Sequence, residues 1–286
     1  MSGKSRPGIL LEFQPFPNRP DTISHKVLVF MHRSQTTVFI PTLNEAKGLE
    51  QLLPRILKQG CGQVLISDGN SVDGTQEIAR KHGVDLFVQK RPGLRYAYTE
   101  AWPLIRGQCV VTLSPDGNCI PEDIPRLLEE MGKGYDMVVA SRYYGEATSE
   151  DDDIITGFGN WFFTRTVNFL FKANYTDAMG IFRAYRTQLF YELGLDSDDG
   201  YALPEKMFFT RLGVEPLLSA RAAAYHKKIG EIGSNEPKRI GGQRKLQTIR
   251  WGAAYYTQFF LEFAKMKSRG APALEKNPQR IDPKKK

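Results

Sequence analysis

Short apolar runs alternate with amphipathic stretches from residue 36 onward. Five of these runs are rich in β-branched and aliphatic residues and have the length of strands, at 36–41, 63–67, 85–89, 108–113 and 136–140. The stretches between them place apolar residues at helical spacing. Strands that alternate with helices predict βαβ crossovers, and therefore an α/β fold with a mostly parallel, doubly wound sheet and helices on both faces.

Polar loops follow three of the predicted strands, at 42–45, 68–73 and 114–118. Open parallel sheets bind their ligands beyond the carboxyl ends of the strands, where such loops meet. The pattern therefore predicts a ligand site at this edge of the sheet.

The composition and the hydrophobic pattern of the chain change after residue 142. An acidic loop at 146–153 precedes an aromatic segment at 154–172 that we expect to be helical, and 214–225 is a candidate for a further strand. We divide the chain into an N-terminal extension outside the chemistry (1–35), a main domain (36–235), a basic loop with an aromatic amphipathic helix (236–270) and a flexible basic tail (271–286).

The net charge of +7 is concentrated at one end of the chain. Residues 237–286 carry thirteen Lys and Arg against three Asp and Glu, a net charge of +10, which leaves the first 236 residues at −3. A slightly acidic body argues against a nucleic-acid-binding domain, whereas a basic end suits phosphates or an anionic membrane face. The 17 Phe, 12 Tyr and 3 Trp can fill a sizeable core, which excludes a disordered chain.

Three cysteines, Cys61, Cys109 and Cys119, form no CxxC pair and have no metal-ligand spacing. Buried free thiols in a reducing cytoplasm are the interpretation that fits them best. No stretch reaches the ~18 apolar residues of a membrane span, and the N-terminus lacks the order of a signal peptide. We therefore expect a cytoplasmic protein, either soluble or peripheral on the inner face of the membrane.

Asp116 lies in Ser114-Pro115-Asp116-Gly117-Asn118, directly after the fourth predicted strand. Taken alone, an Asp in this position is more often a turn residue than a ligand. A hard divalent cation needs oxygen ligands of this type, and it would bridge a nucleotide diphosphate. The chain has neither a P-loop nor a GxGxxG turn, so Asp116 with a metal and basic residues is the remaining way to hold the phosphates.

Three motifs in order resemble those of family 2 glycosyltransferases. They are 41–45 (PTLNE), 67–75 (SDGNSVDGT) and 114–118 (SPDGN) with Pro121. Two later stretches, 179–186 (MGIFRAYR) and 239–246 (RIGGQRKL), are most similar to the dolichol- or polyprenyl-phosphate mannose synthase branch. The resemblance covers roughly residues 36–250. It implies a GT-A fold and an inverting enzyme that transfers a hexose from a GDP- or UDP-sugar in cell-surface glycan biosynthesis.

The resemblance also assigns the first two polar loops to the nucleotide. It places Pro41, Asn44 and Glu45 around the nucleoside, and it implies that Asp68 hydrogen-bonds the base while Asp73 braces the turn. Turn and helix-cap chemistry would use the same residue types, which is the alternative interpretation. We favour the nucleotide site because three such loops converge on one sheet edge.

The family's metal motif is commonly Asp-x-Asp, and this chain departs from it. The resemblance implies Mg²⁺ or Mn²⁺ bound by Asp116, with Asn118 as a further oxygen donor. Ser114 replaces the first carboxylate of the motif. Because a hydroxyl is a poorer ligand than a carboxylate, this departure puts metal dependence in question.

The leaving diphosphate requires positive charge. Positions that resemble basic positions of the family make Arg142, Arg183, Arg244 and Lys245 the candidates. For Arg244 and Lys245 an exposed basic stretch is the alternative. Gly241-Gly242 beside them suggests a hinged loop that closes over the substrate.

The acceptor decides whether a general base is needed. A hydroxyl must lose a proton during attack, and the family often keeps a carboxylate in the stretch that holds Asp198, Asp199 and Glu205. A polyprenyl phosphate is already ionised near neutral pH, because its second pKa is about 6, and it needs positive charge instead. A lipid phosphate, another lipid and a glycan all stay open as acceptors.

Aromatic residues recur on one helical face of the segment 244–269, between flanking Lys and Arg. They are Trp251, Tyr255, Tyr256, Phe259, Phe260 and Phe263. One interpretation is a helix that lies on an anionic membrane. The other, slightly favoured, is an ordinary core or homodimer face.

Two other classes of function stay open at this point. A non-catalytic relative would bind a nucleotide sugar without transferring it, and Ser114 keeps this class open. A sugar nucleotidyltransferase should carry a Gly-rich, Arg-containing turn after the first strand, which 41–45 does not provide.

Overall fold

A computed structural model of the chain describes residues 32–240 and 248–268. The expected extension up to residue 31, the loop at 241–247 with Arg244 and Lys245, and the tail from residue 269 lie outside the described residues. None of the helices within the described ranges has the length and apolar character that crossing a membrane requires.

One mixed sheet of seven strands forms the centre of the described structure. The strands are β1 (Thr36–Thr42), β2 (Gln63–Asp68), β3 (Asp85–Val88), β4 (Cys109–Thr112), β5 (Met137–Ser141), β6 (Arg183–Arg186) and β7 (Ile229–Gly233). Their order is β3-β2-β1-β4-β6-β5-β7, with β6 antiparallel to both neighbours and the other pairs parallel. The predicted α/β class with a mostly parallel, doubly wound sheet is confirmed.

Helices cover both faces of this sheet. The described α-helices are α1 (Ala46–Leu57), α2 (Thr75–Lys81), α3 (Leu94–Ala101), α4 (Ile124–Met131), α5 (Ile154–Phe171), α6 (Leu189–Glu192), α7 (Ala202–Phe208), α8 (Glu215–Ala224) and α9 (Thr248–Ser268). The buried apolar residues fall into two clusters. One cluster includes Leu49 of α1 and Leu127 of α4, and the other includes Tyr98 of α3, Leu217 of α8 and Phe259 of α9.

Two parts of the fold differ from the sequence prediction. The segment 214–225 is not a strand, because Glu215–Ala224 form α8, in which every residue is buried. Burial on all sides removes the amphipathic period that distinguishes a helix from a buried strand. The short strands β6 and β7 were not predicted, since Arg183 and Arg186 interrupt the apolar pattern of β6, and Gly230 and Glu231 interrupt that of β7.

The aromatic helix α9 packs on the rest of the fold. Ala254 and Phe259 are fully buried in the same cluster as residues of α3 and α8. Glu262 forms an ion pair of 2.9 Å with Arg221 of α8, and both side chains are buried. Phe260, in contrast, is 55% exposed. The core interpretation therefore holds for one side of α9, while the other side lies at the surface.

Candidate active site

The loops after β1 and β2 hold each other in place. The hydroxyl of Thr42 donates to the carboxylate of Asp68 at 3.0 Å. The N–H of Asn44 donates to Ser71 Oγ at 2.8 Å, and Asn44 Oδ1 accepts from the N–H of Val72 at 2.9 Å. Asn44 has a positive φ of 55°, a conformation that Asn adopts more readily than most residues. Each loop is thus fixed by groups of the other.

The two carboxylates of the second loop make contacts inside the turn. Asp68 is fully buried and accepts from Ser71 Oγ at 2.6 Å and from Gln76 Nε2 at 2.8 Å. Burial would raise the pKa of Asp73, but hydrogen bonds from Thr75 and from backbone N–H groups outweigh it and lower that pKa. Both carboxylates therefore support the turn, and the contact of Asp68 with a base stays a prediction.

Pro41 and Glu45 complete the first loop. Pro41 is buried near the end of β1, where it pairs with Ser67 of β2. Glu45 directly precedes α1, and its N–H donates to Thr75 Oγ1 at 3.0 Å. The fold thus brings all of the predicted nucleoside residues to one edge of the sheet.

Asp116 lies on the loop after β4, beside α1. The loop reaches the helix because α1 has a glycine at the contact, and a Cβ atom at Gly48 would lie 2.2 Å from the carbonyl oxygen of Pro115. Asp116 itself is 8% exposed. The polar loop at 42–45 leads into α1, so the contact with α1 brings Asp116 close to that loop.

A segment at 234–240, which we call the strap, lies over the Asp116 loop. The N–H of Ile240 donates to the backbone oxygen of Asp116 at 2.8 Å. Nη1 of Arg239 lies 3.6 Å from Asp116 Oδ2, and its Nη2 lies 2.6 Å from Asp151 Oδ2. Arg239 therefore links the Asp116 loop to the acidic loop that precedes α5.

Arg142 follows β5 and lies among carboxylates. Its Nε is 2.7 Å from Asp177 Oδ2, and its Nη1 is 3.3 Å from Glu236 Oε2 and 3.9 Å from Asp152 Oδ2. Burial would raise the pKa of Asp177, which is fully buried, but the charge of Arg142 holds that pKa below its usual value. The ion pair with Asp177 therefore fixes the position of the Arg142 guanidinium.

Arg142 and Arg239 line a cavity of about 380 Å³, whereas Asp116 and Asp177 lie outside its lining. This volume falls within the range of ~300–1,000 Å³ that is typical of small-molecule sites. Its charged lining residues include Arg142, Asp151, Asp152, Glu236 and Arg239. Its apolar lining residues include Ile155 and Phe163 of α5 and Trp251 and Tyr255 of α9. The cavity therefore combines a charged part with an aromatic part.

Arg183 does not reach this cavity, which corrects the role predicted for it. Its side chain is fully buried, its Nε donates to the carbonyl oxygen of Gly180 at 2.8 Å, and its Nη1 donates to Ser219 Oγ at 2.9 Å. A guanidinium in this position cannot contact a leaving diphosphate. It supports the turn of Met179 and Gly180, which do line the cavity.

Glu205 and Asp199 form ion pairs away from the lining of the cavity. Glu205 is buried, and its Oε2 lies 2.9 Å from Arg95 Nη2 and 3.0 Å from Arg211 Nη1. Asp199 pairs with Lys265 of α9. These carboxylates join α7 and its preceding turn to α3 and α9. The structure brings neither of them to Asp116.

The side chains around Asp116 are a poor match for a divalent metal ion. Among residues 32–240 and 248–268, no three His, Cys, Asp or Glu side chains are grouped so that they could hold one. The amide nitrogen of Asn118 donates to Glu236 at 3.1 Å, and its oxygen lies 3.6 Å from the thiol of Cys119. Mg²⁺ is usually held by one or two carboxylates together with substrate phosphates, and of the predicted donors only Asp116 is a carboxylate, which already pairs with Arg239 at 3.6 Å.

Five of the described charged residues that line the cavity were not singled out in the sequence: Asp151, Asp152, Glu215, Glu236 and Arg239. Arg239 begins the basic stretch at 239–246, Asp151 and Asp152 belong to the acidic loop, and Glu236 lies in neither of these stretches. The signal for Arg239 was its place in that stretch. Arg239 and Asp151 are 88 positions apart, and no periodicity in a sequence connects residues at that distance.

The mixed sheet with this strand order and with helices on both faces is a GT-A fold. The family model of glycosyl transferase family 2 matches residues 37–194, more than half of the chain. The chain therefore belongs to family 2 of the glycosyltransferases. The predicted family is confirmed, and the nucleotidyltransferase alternative is set aside.

Several curated proteins are similar to this chain. It is 28% identical over 171 residues to glycosyltransferase AglJ of Haloferax volcanii, covering 59% of this chain and 56% of that protein. It is 30% identical over 186 residues to polyprenol monophosphomannose synthase of Mycolicibacterium smegmatis, covering 58% and 66%. It is 29% identical over 230 residues to undecaprenyl-phosphate mannosyltransferase of Micrococcus luteus, covering 75% and 93%. The chain spans about half the length of the first of these relatives.

Solved structures of glucosyl-3-phosphoglycerate synthase from Mycobacterium tuberculosis share the fold. One, with Mn²⁺, UDP and glucosyl-3-phosphoglycerate, has a TM-score of 0.56 at 18% identity and covers 87% of this chain and 86% of that chain. Another, with Mn²⁺ and UDP-glucose, has a TM-score of 0.56 at 18% identity and covers 87% and 84%. At this identity the likeness concerns the fold.

Proposed function

We propose that this protein transfers a hexose from a GDP- or UDP-sugar to a polyprenyl phosphate, with inversion at the anomeric carbon. The observation that carries the proposal is the cavity, which joins charged groups at the sheet edge to aromatic side chains of α5 and α9. Two relatives are named a polyprenol monophosphomannose synthase and an undecaprenyl-phosphate mannosyltransferase. Their names favour a lipid phosphate over a glycan as the acceptor.

The donor binds at the carboxyl edge of the sheet in this proposal. The loops of Asn44 and Asp68 receive the nucleoside, and the diphosphate extends toward Asp116. Among the described residues, the cationic side chains that line the cavity are Arg142 and Arg239. Their guanidinium groups stabilise the negative charge that develops on the leaving diphosphate. Arg244 and Lys245 remain predicted contributors.

A phosphate acceptor agrees with the positions of the predicted bases. Glu205 and Asp199 are occupied in ion pairs and do not line the cavity. A phosphate is already ionised near neutral pH, so its oxygen attacks without a general base. Attack on the face of the sugar opposite the diphosphate, in one displacement, gives inversion. The role of general base is therefore not assigned to either carboxylate.

Large apolar side chains on α5 and α9 form an exposed surface beside the cavity. Phe158, Trp161 and Phe162 of α5 are 63%, 53% and 45% exposed. The ring of Phe162 lies 5.0 Å from that of Tyr256, which lies 6.5 Å from that of Phe260. We call these five residues the aromatic face. Contiguous exposed apolar surface of this kind marks a site of interaction.

The aromatic face continues into the cavity and is bordered by positive charge. Ile155 and Phe163, on the same helix, line the cavity, so an isoprenoid chain can leave it along α5. The guanidinium of the exposed residue Arg165 lies 5.8 Å from the centre of the Trp161 ring. Aromatic and basic side chains together suit an anionic membrane surface. We place peripheral membrane contact here, and not on the buried side of α9.

Vesicle binding tests the membrane contact. The double variant Phe158→Ser/Trp161→Ser should bind vesicles of phosphatidylcholine and phosphatidylglycerol at least about tenfold more weakly in co-sedimentation, because two aromatic anchors are lost. Leu104→Ser is the control, since Leu104 is an apolar residue that is 47% exposed but lies on the turn after α3. Equal binding by the double variant and the control would remove the aromatic face from the proposal.

Release of diphosphate tests the transfer. The full-length protein is given GDP- or UDP-sugars with a short polyprenyl phosphate, and the product is followed by mass spectrometry. Asp116→Asn should lower turnover by about 100-fold or more, because Asp116 no longer forms an ion pair with Arg239, whose guanidinium stabilises the leaving diphosphate in this proposal. Glu122→Gln, which removes a surface ion pair with Arg55, should retain full turnover. Nucleotide binding without turnover for any acceptor would contradict the proposal and restore the non-catalytic alternative.

A further inference from the structure

Arg239 lies at Asp116, where the resemblance to the family implies a metal ion. Its Nη1 is 3.6 Å from Asp116 Oδ2. Its Nε is 3.1 Å from both carboxylate oxygens of Asp151, and its Nη2 is 2.6 Å from Asp151 Oδ2. One edge of the guanidinium is therefore held by Asp151, and the remaining nitrogen is directed at Asp116.

The backbone of the strap fixes Arg239 in this position. On one side, the N–H of Ser234 donates to the carbonyl oxygen of Ser141 at 3.0 Å. On the other side, the N–H of Ile240 donates to the backbone oxygen of Asp116 at 2.8 Å. The side chain of Ile240 lies over Gly117, where a Cβ atom would be 2.5 Å from Ile240 Cδ1. The close approach of the strap to the Asp116 loop thus requires a glycine in that loop.

The charges and donors around Asp116 suit a guanidinium better than a metal ion. Ser114 stands where the family commonly has a carboxylate, and the amide of Asn118 is engaged with Glu236 and Cys119. Arg239 donates N–H hydrogen bonds to Asp151 and forms an ion pair of 3.6 Å with Asp116, so one guanidinium interacts with both carboxylates. A divalent ion at Asp116 would have one carboxylate ligand and would depend on water and substrate phosphates for the others.

We propose that the guanidinium of Arg239, and not a divalent metal ion, is the cation that works with Asp116 to bind and stabilise the diphosphate. The inference rests on the proposed function and names the group that stabilises the charge on the leaving diphosphate. The bond between the anomeric carbon and the diphosphate oxygen breaks, and its electron pair stays on that oxygen. Arg239 donates N–H hydrogen bonds to the diphosphate as this charge develops. A lone pair of the acceptor phosphate forms the new bond, and no proton moves.

Nucleotide binding without any acceptor tests the inference by calorimetry. The wild-type protein should bind GDP or UDP in EDTA, and added Mn²⁺ should change its affinity by less than about threefold. Arg239→Gln should bind about tenfold or more weakly in EDTA, the effect of losing a charged hydrogen bond. Arg239→Lys keeps the charge but loses the fork, so its loss should be intermediate. Arg55→Gln, which breaks a surface pair with Glu122, is the matched control and should bind as the wild type does.

A restored Asp-x-Asp motif gives a second readout that does not depend on turnover. Ser114→Asp with Arg239→Gln supplies a second carboxylate and removes the competing cation. This double variant should bind Mn²⁺ in electron paramagnetic resonance titrations and should recover nucleotide affinity when Mn²⁺ is present. Arg239→Gln alone should bind Mn²⁺ at least about tenfold more weakly than the double variant, because one carboxylate coordinates less strongly than two. Thermal melting of each variant checks that the fold is retained.

The outcomes separate this inference from the proposed function. Wild-type binding of GDP or UDP that disappears in EDTA and returns with Mn²⁺ would overturn the role of Arg239 and leave hexosyl transfer intact. Equal nucleotide affinities for Arg239→Gln and Arg55→Gln in EDTA would overturn it as well. Failure of the wild-type protein to bind any nucleotide, with or without Mn²⁺, would overturn the proposed function together with the inference.

Discussion

At the scale of single residues, the buried carboxylate of Asp177 is stabilised by its ion pair with Arg142. Asp177 is fully buried and accepts from Nε and Nη2 of Arg142 at 2.7 and 3.1 Å. Arg142→Met leaves this carboxylate without its cation, and such a loss costs about 3–5 kcal/mol. Urea unfolding at pH 7 should show a decrease of this size in the free energy of unfolding.

A second variant distinguishes charge from packing at this position. Arg142→Met/Asp177→Asn removes both charges and should recover part of the loss, because no uncompensated carboxylate remains. Arg55→Met is the surface counterpart, since Arg55 and Glu122 are both largely exposed, and it should cost less than about 1 kcal/mol. Equal losses for Arg142→Met and Arg55→Met would contradict this account of the site.

At the scale of elements, two neighbouring residues of α9 differ in burial and therefore in their expected contribution to stability. Phe259 is fully buried and its ring lies 6.2 Å from that of Phe163 on α5, whereas Phe260 belongs to the aromatic face. Phe259→Ala should lower the free energy of unfolding by about 3–5 kcal/mol. Phe260→Ala should lower it by less than about 1 kcal/mol but should weaken vesicle binding. The reverse order of stabilities in urea titrations would show that α9 packs through its other side.

Ion pairs at Glu192 join α6 to two other parts of the sheet. Glu192 Oε1 lies 2.9 Å from Arg186 of β6, and its Oε2 lies 2.6 Å from Lys227, which precedes β7. Hydrogen bonds from Arg186 and Lys227 lower the pKa of Glu192 to about 2, from 4.5. A lowered carboxyl pKa means that this stabilisation is complete above about pH 4.5 and is lost as the pH falls toward 2.

The variant Glu192→Gln should therefore have a pH-dependent effect. At pH 7 it should cost about 1 kcal/mol, a size typical of partly exposed pairs. Urea titrations at pH 7, 5 and 3 should show the difference from the wild type shrinking only at the lowest pH. A difference that shrinks between pH 7 and 5 would point to another titrating group.

At the scale of the whole molecule, α9 decides where the folding unit ends. It contributes Ala254, Phe259 and Glu262 to buried contacts with the main domain. A chain that ends after residue 247 exposes the apolar surface under α9, and we expect it to lose cooperative thermal unfolding in circular dichroism. An unchanged melting temperature would instead support the sequence-based boundary at residue 235 as the end of an independent domain.

Particular residues show why some of this structure was predictable and some was not. The five strands were found because β-branched runs have a local pattern, and the three polar loops because such strands end together. The helix α8 was missed because burial on every side erases its period. Arg183 was misassigned because a basic residue in a motif looks the same in sequence whether it is buried or exposed.

The sequence by itself determined the α/β class, the family and the edge of the sheet where the polar loops meet, because short-range patterns and ordered motifs encode all three. Only the tertiary structure decided which charges meet there. Arg239 contacts Asp116 and Asp151, residues that are remote along the chain, because the strap crosses the loop after β4. Ion pairs depend on distances of a few ångströms in space, and these arise only when the chain has folded.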